Sequence, residues 1–122
     1  IELGQIEGGF VQGAGWLTME EVNWKPNGEI TTHSPSTYKI PAVSDMPKQF
    51  NVEIYKYGKN IENVVNKSKT TGEPPLMNAM SVFFAIKDAI ASVADYKITP
   101  IINAPATPEK ILTSIKNIEK QL

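Results

Sequence analysis

The carboxylate of Glu73 stands in the stretch Thr70-Thr71-Gly72-Glu73-Pro74-Pro75-Leu76, directly before an apolar run from Met77 to Ala94. Proline fixes φ at about −65° and has no N–H, so Pro74 and Pro75 suit a first helical turn, where that donor would have no partner. Glu73 therefore sits where a helix starts, next to a glycine that lets backbone or ligand approach closely. A carboxylate in such a place can take up a proton as a general base, or can simply be a solvated acid at a helix start. The residues alone leave both readings open. Gln5 and Gln12 are neutral amides with donors and acceptors, suited to a polar ligand. The chain has no cysteine and a single histidine, His33, so it offers neither a thiolate metal site, nor a disulfide framework, nor a histidine cluster. Any metal here must be held by something else. His33 lies beside a turn and is given no role.

The elements that must position these groups are read from periodicity and from turn residues. Residues 1–19 place Ile6, Phe10, Val11, Ala14 and Leu17 at helical spacing, with Gly8, Gly9, Gly13 and Gly15 thinning the rest of the surface. Each interior glycine costs about 1 kcal/mol against alanine, so close packing or a ligand must account for them. Gly13-Ala14-Gly15 has the opening spacing of a dinucleotide fingerprint, but the reading carries little weight, because no strand leads into it and the third glycine position is Thr18. From Glu20 to Thr32, two strand-like runs flank Pro26-Asn27-Gly28, which predicts a β-hairpin. Trp16 and Trp24 are read as packing residues.

Pro35, Pro41 and Pro47 make 34–48 extended and irregular. Phe50, Val52 and Ile54 alternate with polar neighbours as in a half-buried strand, and Glu62–Ser68 reads as a further short strand. The run from Leu76 onward has almost no polar face, the pattern of a buried helix. Residues 98–106 read as a linker. Thr107-Pro108-Glu109 then starts a helix whose stripe of Ile111, Leu112, Ile115 and Ile118 docks it on a core. The expected class is α+β: a glycine-rich N-terminal helix, a β-hairpin and short strands, one buried central helix and a C-terminal amphipathic helix.

At 122 residues the chain has the length of one domain. Twelve basic against thirteen acidic residues give no electrostatic footprint for nucleic acid or an anionic membrane. Lys87 and Asp88 interrupt the longest apolar run, so no transmembrane span is expected, and the location expected is cytoplasmic. The chain opens at Ile1-Glu2-Leu3-Gly4, without an initiator methionine, and reads as a piece of something longer.

Five strings, in order along nearly the whole chain, carry a resemblance that composition does not: Gly4-Gln5-Ile6-Glu7-Gly8-Gly9-Phe10-Val11-Gln12-Gly13, Pro35-Ser36-Thr37-Tyr38-Lys39-Ile40-Pro41, Gly72-Glu73-Pro74-Pro75-Leu76, Phe83-Phe84-Ala85-Ile86-Lys87-Asp88-Ala89 and Ala106-Thr107-Pro108-Glu109-Lys110. Together they resemble the C-terminal part of the molybdenum-binding subunit of xanthine dehydrogenases, in the xanthine oxidase and aldehyde oxidase superfamily of molybdenum hydroxylases. The resemblance implies that residues 1–122 are a C-terminal fragment of a molybdopterin-binding domain in a larger subunit. It implies Glu73 as the catalytic base, with Gln5 and Gly72 at the cofactor. The molybdenum would be held by the pterin dithiolene and by no protein ligand. Iron–sulfur centres, FAD and NAD are expected on other domains or subunits, and none of their motifs is in this chain.

The residues before the motif, Lys69-Thr70-Thr71, depart from the family's usual Lys-Ala-Val. Ser36-Thr37-Tyr38 resembles the xanthine dehydrogenase version of its segment, which implies hydroxylation of hypoxanthine and xanthine to urate. The alternatives are an aldehyde or N-heterocycle hydroxylase of the same superfamily, and a non-catalytic interaction module that has lost the cofactor. Expected partners are the rest of the molybdenum subunit, the iron–sulfur and FAD domains and a purine, with no nucleic acid and no membrane.

Overall fold

The computed structural model describes residues 1–122. Four helices carry the fold: α1 (Glu2–Thr18), α2 (Glu73–Asn78), α3 (Met80–Ser92) and α4 (Pro108–Glu119). Between α1 and α2 the chain is almost wholly irregular, with 3-10 turns at Val43–Asp45 and Val65–Lys67.

The α+β expectation is overturned: the chain is mostly helical and contains no sheet. The predicted hairpin reduces to one isolated antiparallel bridge, Trp24 with Ile30. Its turn forms as its residues dictate. Gly28 takes φ +85°, Lys25 N–H donates to Glu29 C=O at 2.8 Å, and Thr31 N–H donates to Asn23 C=O at 2.8 Å. The arms stop there because an isolated two-stranded ribbon is marginal in water without a third strand or a helix across its face. The alternating Phe50, Val52 and Ile54 have no strand beside them. Phe50 instead packs on Phe10 of α1, ring centroids 5.6 Å apart. The predicted strand at Glu62–Ser68 is replaced by the 3-10 turn, where Asn66 and Lys67 take positive φ.

The single buried central helix is also corrected. The run breaks at Ala79 into α2 and α3, and Met77, Met80, Phe84 and Val93 are 40–60% exposed. A helix that is apolar all round needs neighbours on every side, and this chain supplies them only in α1 and α4. The core is accordingly small. Ile90 and Ala94 meet Ile118, with Ile86, Ile98, Ile111 and Ile115 packed around them. α4 begins as its sequence predicts: Thr107 is extended, and its hydroxyl accepts from Lys110 N–H at 3.5 Å. Two hydrogen bonds tie the segment before α4 to the rest, from Ala106 N–H to Leu17 C=O at 2.7 Å and from Ser114 Oγ to Ile101 C=O at 3.1 Å. No helix is long and apolar enough to cross a membrane.

Candidate cofactor and catalytic cleft

The glycines of α1 divide into two faces with different reasons to lack a side chain. A Cβ on Gly9 would collide with the carbonyl oxygen of Gly72. One on Gly13 would collide with that of Leu76 and come within 2.7 Å of the Ala79 Cβ. These two, four residues apart on one face, let the backbone of α1 lie directly against the backbone of α2. Gly4 and Gly8 lie on a neighbouring face. A Cβ at either, or at Gly72, would meet nothing within 4 Å.

That open face lines a cleft. Gly4, Gln5, Gly8, Gly9 and Gln12 of α1 stand on one side, with Thr70, Gly72, Glu73 and Leu76 on the other, around about 400 Å³. Gln5, Gly72 and Glu73, the residues singled out from the sequence, thus come together although two of them are far from the third along the chain. Glu73 is solvent-exposed in the first turn of α2. It takes part in no ion pair, and neither it nor Gln5 nor Gln12 is engaged in a side-chain hydrogen bond. The cleft therefore presents one carboxylate, two amides and bare glycine backbone, none of them committed to a partner within the chain.

A second cavity of about 420 Å³ continues along α1 and shares Gly8 and Gln12 with the first. Its far end is formed by Trp16, Glu20, Tyr38 and Pro41. The Tyr38 hydroxyl donates to Glu20 Oε2 at 2.5 Å, and Glu20 is only 9% exposed. That hydrogen bond, with partial burial and the negative charge of Glu20 behind it, holds the Tyr38 hydroxyl proton above the usual tyrosine range. Sequence reasoning missed Glu20, which looks like one half of a solvated Glu-Glu pair at the start of a strand. Nothing local marks it, because its partner lies on another segment. His33 lies outside both cavities, with Nδ1 3.2 Å from the Ile30 carbonyl oxygen.

The donor set bears on what the cleft could hold. No three of His, Cys, Asp or Glu gather anywhere in the chain to bind a metal ion. A metal at Glu73 would have to arrive already ligated, and open glycines beside two uncommitted amides fit a large polar cofactor that brings its own donors.

Comparison with known proteins bears on the same residues. A family profile described as molybdopterin cofactor-binding domain matches residues 1–47, which include all of α1. The xanthine dehydrogenase/oxidase of Felis catus is 47% identical over 117 residues, covering 91% of this chain. The chain is a relative of the xanthine dehydrogenases. Xanthine dehydrogenase 2 of Arabidopsis thaliana is 45% identical over 122 residues, and the xanthine dehydrogenase of Dictyostelium discoideum is 46% identical over 117. The chain spans 9% of the length of the cat and Arabidopsis xanthine dehydrogenases and 8% of the Dictyostelium one. Among solved structures, the quinoline 2-oxidoreductase of Pseudomonas putida 86 superposes with a TM-score of 0.75 at 30% identity, over 93% of this chain and 14% of that one.

Proposed function

We propose that this chain forms one wall of the molybdenum site of a xanthine dehydrogenase. Glu73 is the general base in the hydroxylation of hypoxanthine and xanthine to urate. The carrying observation is the convergence of Gln5, Gly72 and Glu73 on one cleft, in a chain that is 45–47% identical to named xanthine dehydrogenases. The chain is then part of the molybdopterin-binding domain of a larger subunit, with iron–sulfur centres, FAD and NAD on other domains or subunits. The exposed Met77, Met80, Phe84 and Ile101 form apolar surface of the kind that docks against a partner, here the rest of the molybdenum subunit.

In this reading the bound molybdenum cofactor supplies the redox chemistry and the activated oxygen. The chain's own contribution is positional and acid–base. Gln5 and Gln12 offer amide donors and acceptors along α1, while Gly4, Gly8 and Gly72 leave space for close approach. The Glu73 carboxylate, free of any protein partner, accepts the proton lost as oxygen is transferred to the purine. A general base of this kind contributes about 10² to 10⁴ in rate. Glu73→Gln in the full-length protein should keep its molybdenum and pterin content and lose turnover by that factor. Turnover near that of the unmodified enzyme refutes the assignment.

The likeness to a quinoline 2-oxidoreductase favours a second reading, hydroxylation of a different N-heterocycle, beside which an aldehyde stays the other alternative. Relative kcat/KM for xanthine, quinoline and an aromatic aldehyde separates the two. Full-length protein without stoichiometric molybdopterin would leave only a non-catalytic module.

A further inference from the structure

We propose that Glu20 and Tyr38 are positioning residues of the cleft. They clamp the far end of α1 so that its cofactor-facing end keeps its place opposite Glu73. This rests on the reading of Glu73 as base and of α1 as the cofactor wall.

The observations concern how α1 is held. Its middle is fixed by the backbone crossing at Gly9 and Gly13, where α2 leaves no room even for a methyl group. Its C-terminal end is fixed differently. Met19 and Glu20 N–H groups both donate to the Gly15 carbonyl at 3.0 Å, so the chain folds back at the helix end. The Glu20 carboxylate then lies over Gly15, where a Cβ would come within 2.5 Å of Glu20 Oε1 and of Pro41 Cδ. Tyr38 Oη reaches the same carboxylate at 2.5 Å, so the irregular 38–41 segment closes the clamp from the other side. Glu20 is thus a buried carboxylate held by one strong donor, and removing that donor leaves it without its partner.

A helix held at its middle and at one end is a lever. With a rise of about 1.5 Å per residue, Gln5 lies about 6 Å from Gly9 on one side and Gly15 about 9 Å from it on the other. Once the clamp is lost, α1 can swing about the Gly9 contact with Gly13 lifting away from α2, and a rigid tilt that moves the clamped end by about 1 Å then moves Gln5 by about 0.7 Å relative to α2 and Glu73. Reaction rates are sensitive to shifts of that size, a misplacement of about 1 Å costing roughly 10²-fold. Gln12 and Gly8, which line both cavities, move with it.

The test uses the full-length, cofactor-loaded protein with Tyr38→Phe, Glu20→Ala and Glu20→Gln. Tyr38→Phe keeps the ring and deletes the donor. Glu20→Gln keeps an oxygen that can accept it. Tyr38→Phe and Glu20→Ala should lower kcat by about twentyfold, scaled from the sensitivity above. KM should stay within about twofold, and molybdenum content per folded protein should be unchanged, while Glu20→Gln restores most of kcat. A clamp with no role beyond stability would lower the yield of folded protein and leave kcat per loaded site intact. That result overturns the proposal, as does Tyr38→Phe with unchanged kcat, or Glu20→Gln as impaired as Glu20→Ala. Full-length protein that lacks the cofactor overturns this proposal together with the reading it rests on. Loaded protein silenced by Glu73→Gln but indifferent to Tyr38→Phe overturns the clamp alone.

Discussion

Substituting alanine at Gly13 and at Gly8 should move the stability of α1 in opposite directions, although the two changes are chemically identical. Both gain about 1 kcal/mol of helix propensity, because alanine loses less backbone freedom than glycine on folding. At Gly8 nothing lies within 4 Å of the added carbon, so that gain stands alone. At Gly13 the methyl group is driven into the Leu76 carbonyl oxygen, with Ala79 Cβ only 2.7 Å away. The carbonyl cannot turn aside cheaply, because it accepts the Ala79 N–H at 3.2 Å and closes the turn between α2 and α3. Overpacking costs about 1–3 kcal/mol, and a rigid backbone neighbour puts this site at the upper end, for a net loss of about 2 kcal/mol after the propensity gain.

Hydrogen exchange read by mass spectrometry on the full-length protein resolves α1 without requiring the whole molecule to unfold as one unit. Peptides covering residues 5–18 should exchange about fivefold more slowly in Gly8→Ala and about thirtyfold faster in Gly13→Ala, from the corresponding 1 and 2 kcal/mol. If the cleft takes the cofactor as proposed, Gly8→Ala should also load less of it while becoming more protected. Gly13→Ala exchanging like the unmodified protein would refute the backbone crossing. Lost protection in Gly8→Ala would refute the open face.

Three further outcomes follow from the geometry. Tyr38 has its folded-state pKa raised by its hydrogen bond to Glu20, so its contribution is fully present below the unfolded tyrosine value of about 10 and is lost as pH rises through the folded one. Urea midpoints measured across that alkaline window should fall in the native protein and fall less in Tyr38→Phe; identical slopes would refute the linkage. Ile118→Ala removes a side chain that is 2% exposed between Ile90 and Ala94, and should cost about 2–5 kcal/mol, read as accelerated exchange in α3 and α4 together. The isolated 122-residue chain should neither hold molybdopterin nor turn over, since its cleft is open on one side and the face around Phe84 is uncovered; detectable xanthine oxidation by the chain alone would refute this.

Helix ends and turns were readable because their causes are local. Thr107-Pro108 starts α4, Pro74 and Pro75 fall in the first turn of α2, and Gly28 supplies the positive φ that its turn needs. What failed depended on distant partners. Alternation at Phe50, Val52 and Ile54 says that one side of the segment is apolar, but a strand forms only where another strand can take its hydrogen bonds, and none lies beside it in this chain. The break at Ala79 has no proline or glycine to announce it, and it falls where Gly13 presses on the helix from a segment far away. The candidate site is half legible. Glu73 is marked by its own neighbours, and Gln5 and Gly72 joined it through the family strings, not through periodicity. The Glu20–Tyr38 bond spans 18 residues of irregular chain and left no local trace.

The main-chain crossing of α1 and α2 also bears on how such a site can drift. Where two helices meet through side chains, every substitution at the seam resets their spacing by a fraction of an ångström. Here the spacer is the thickness of two peptide backbones, which is the same whatever the rest of the sequence does. Mutations on the outer faces of either helix can accumulate without altering the gap between the wall that carries Gln5 and the turn that carries Glu73. Gly9, Gly13 and the carbonyls above them set the closest approach, with the clamp at the far end of α1 holding the tilt, so altering the reach of the carboxylate by design would begin at these glycines.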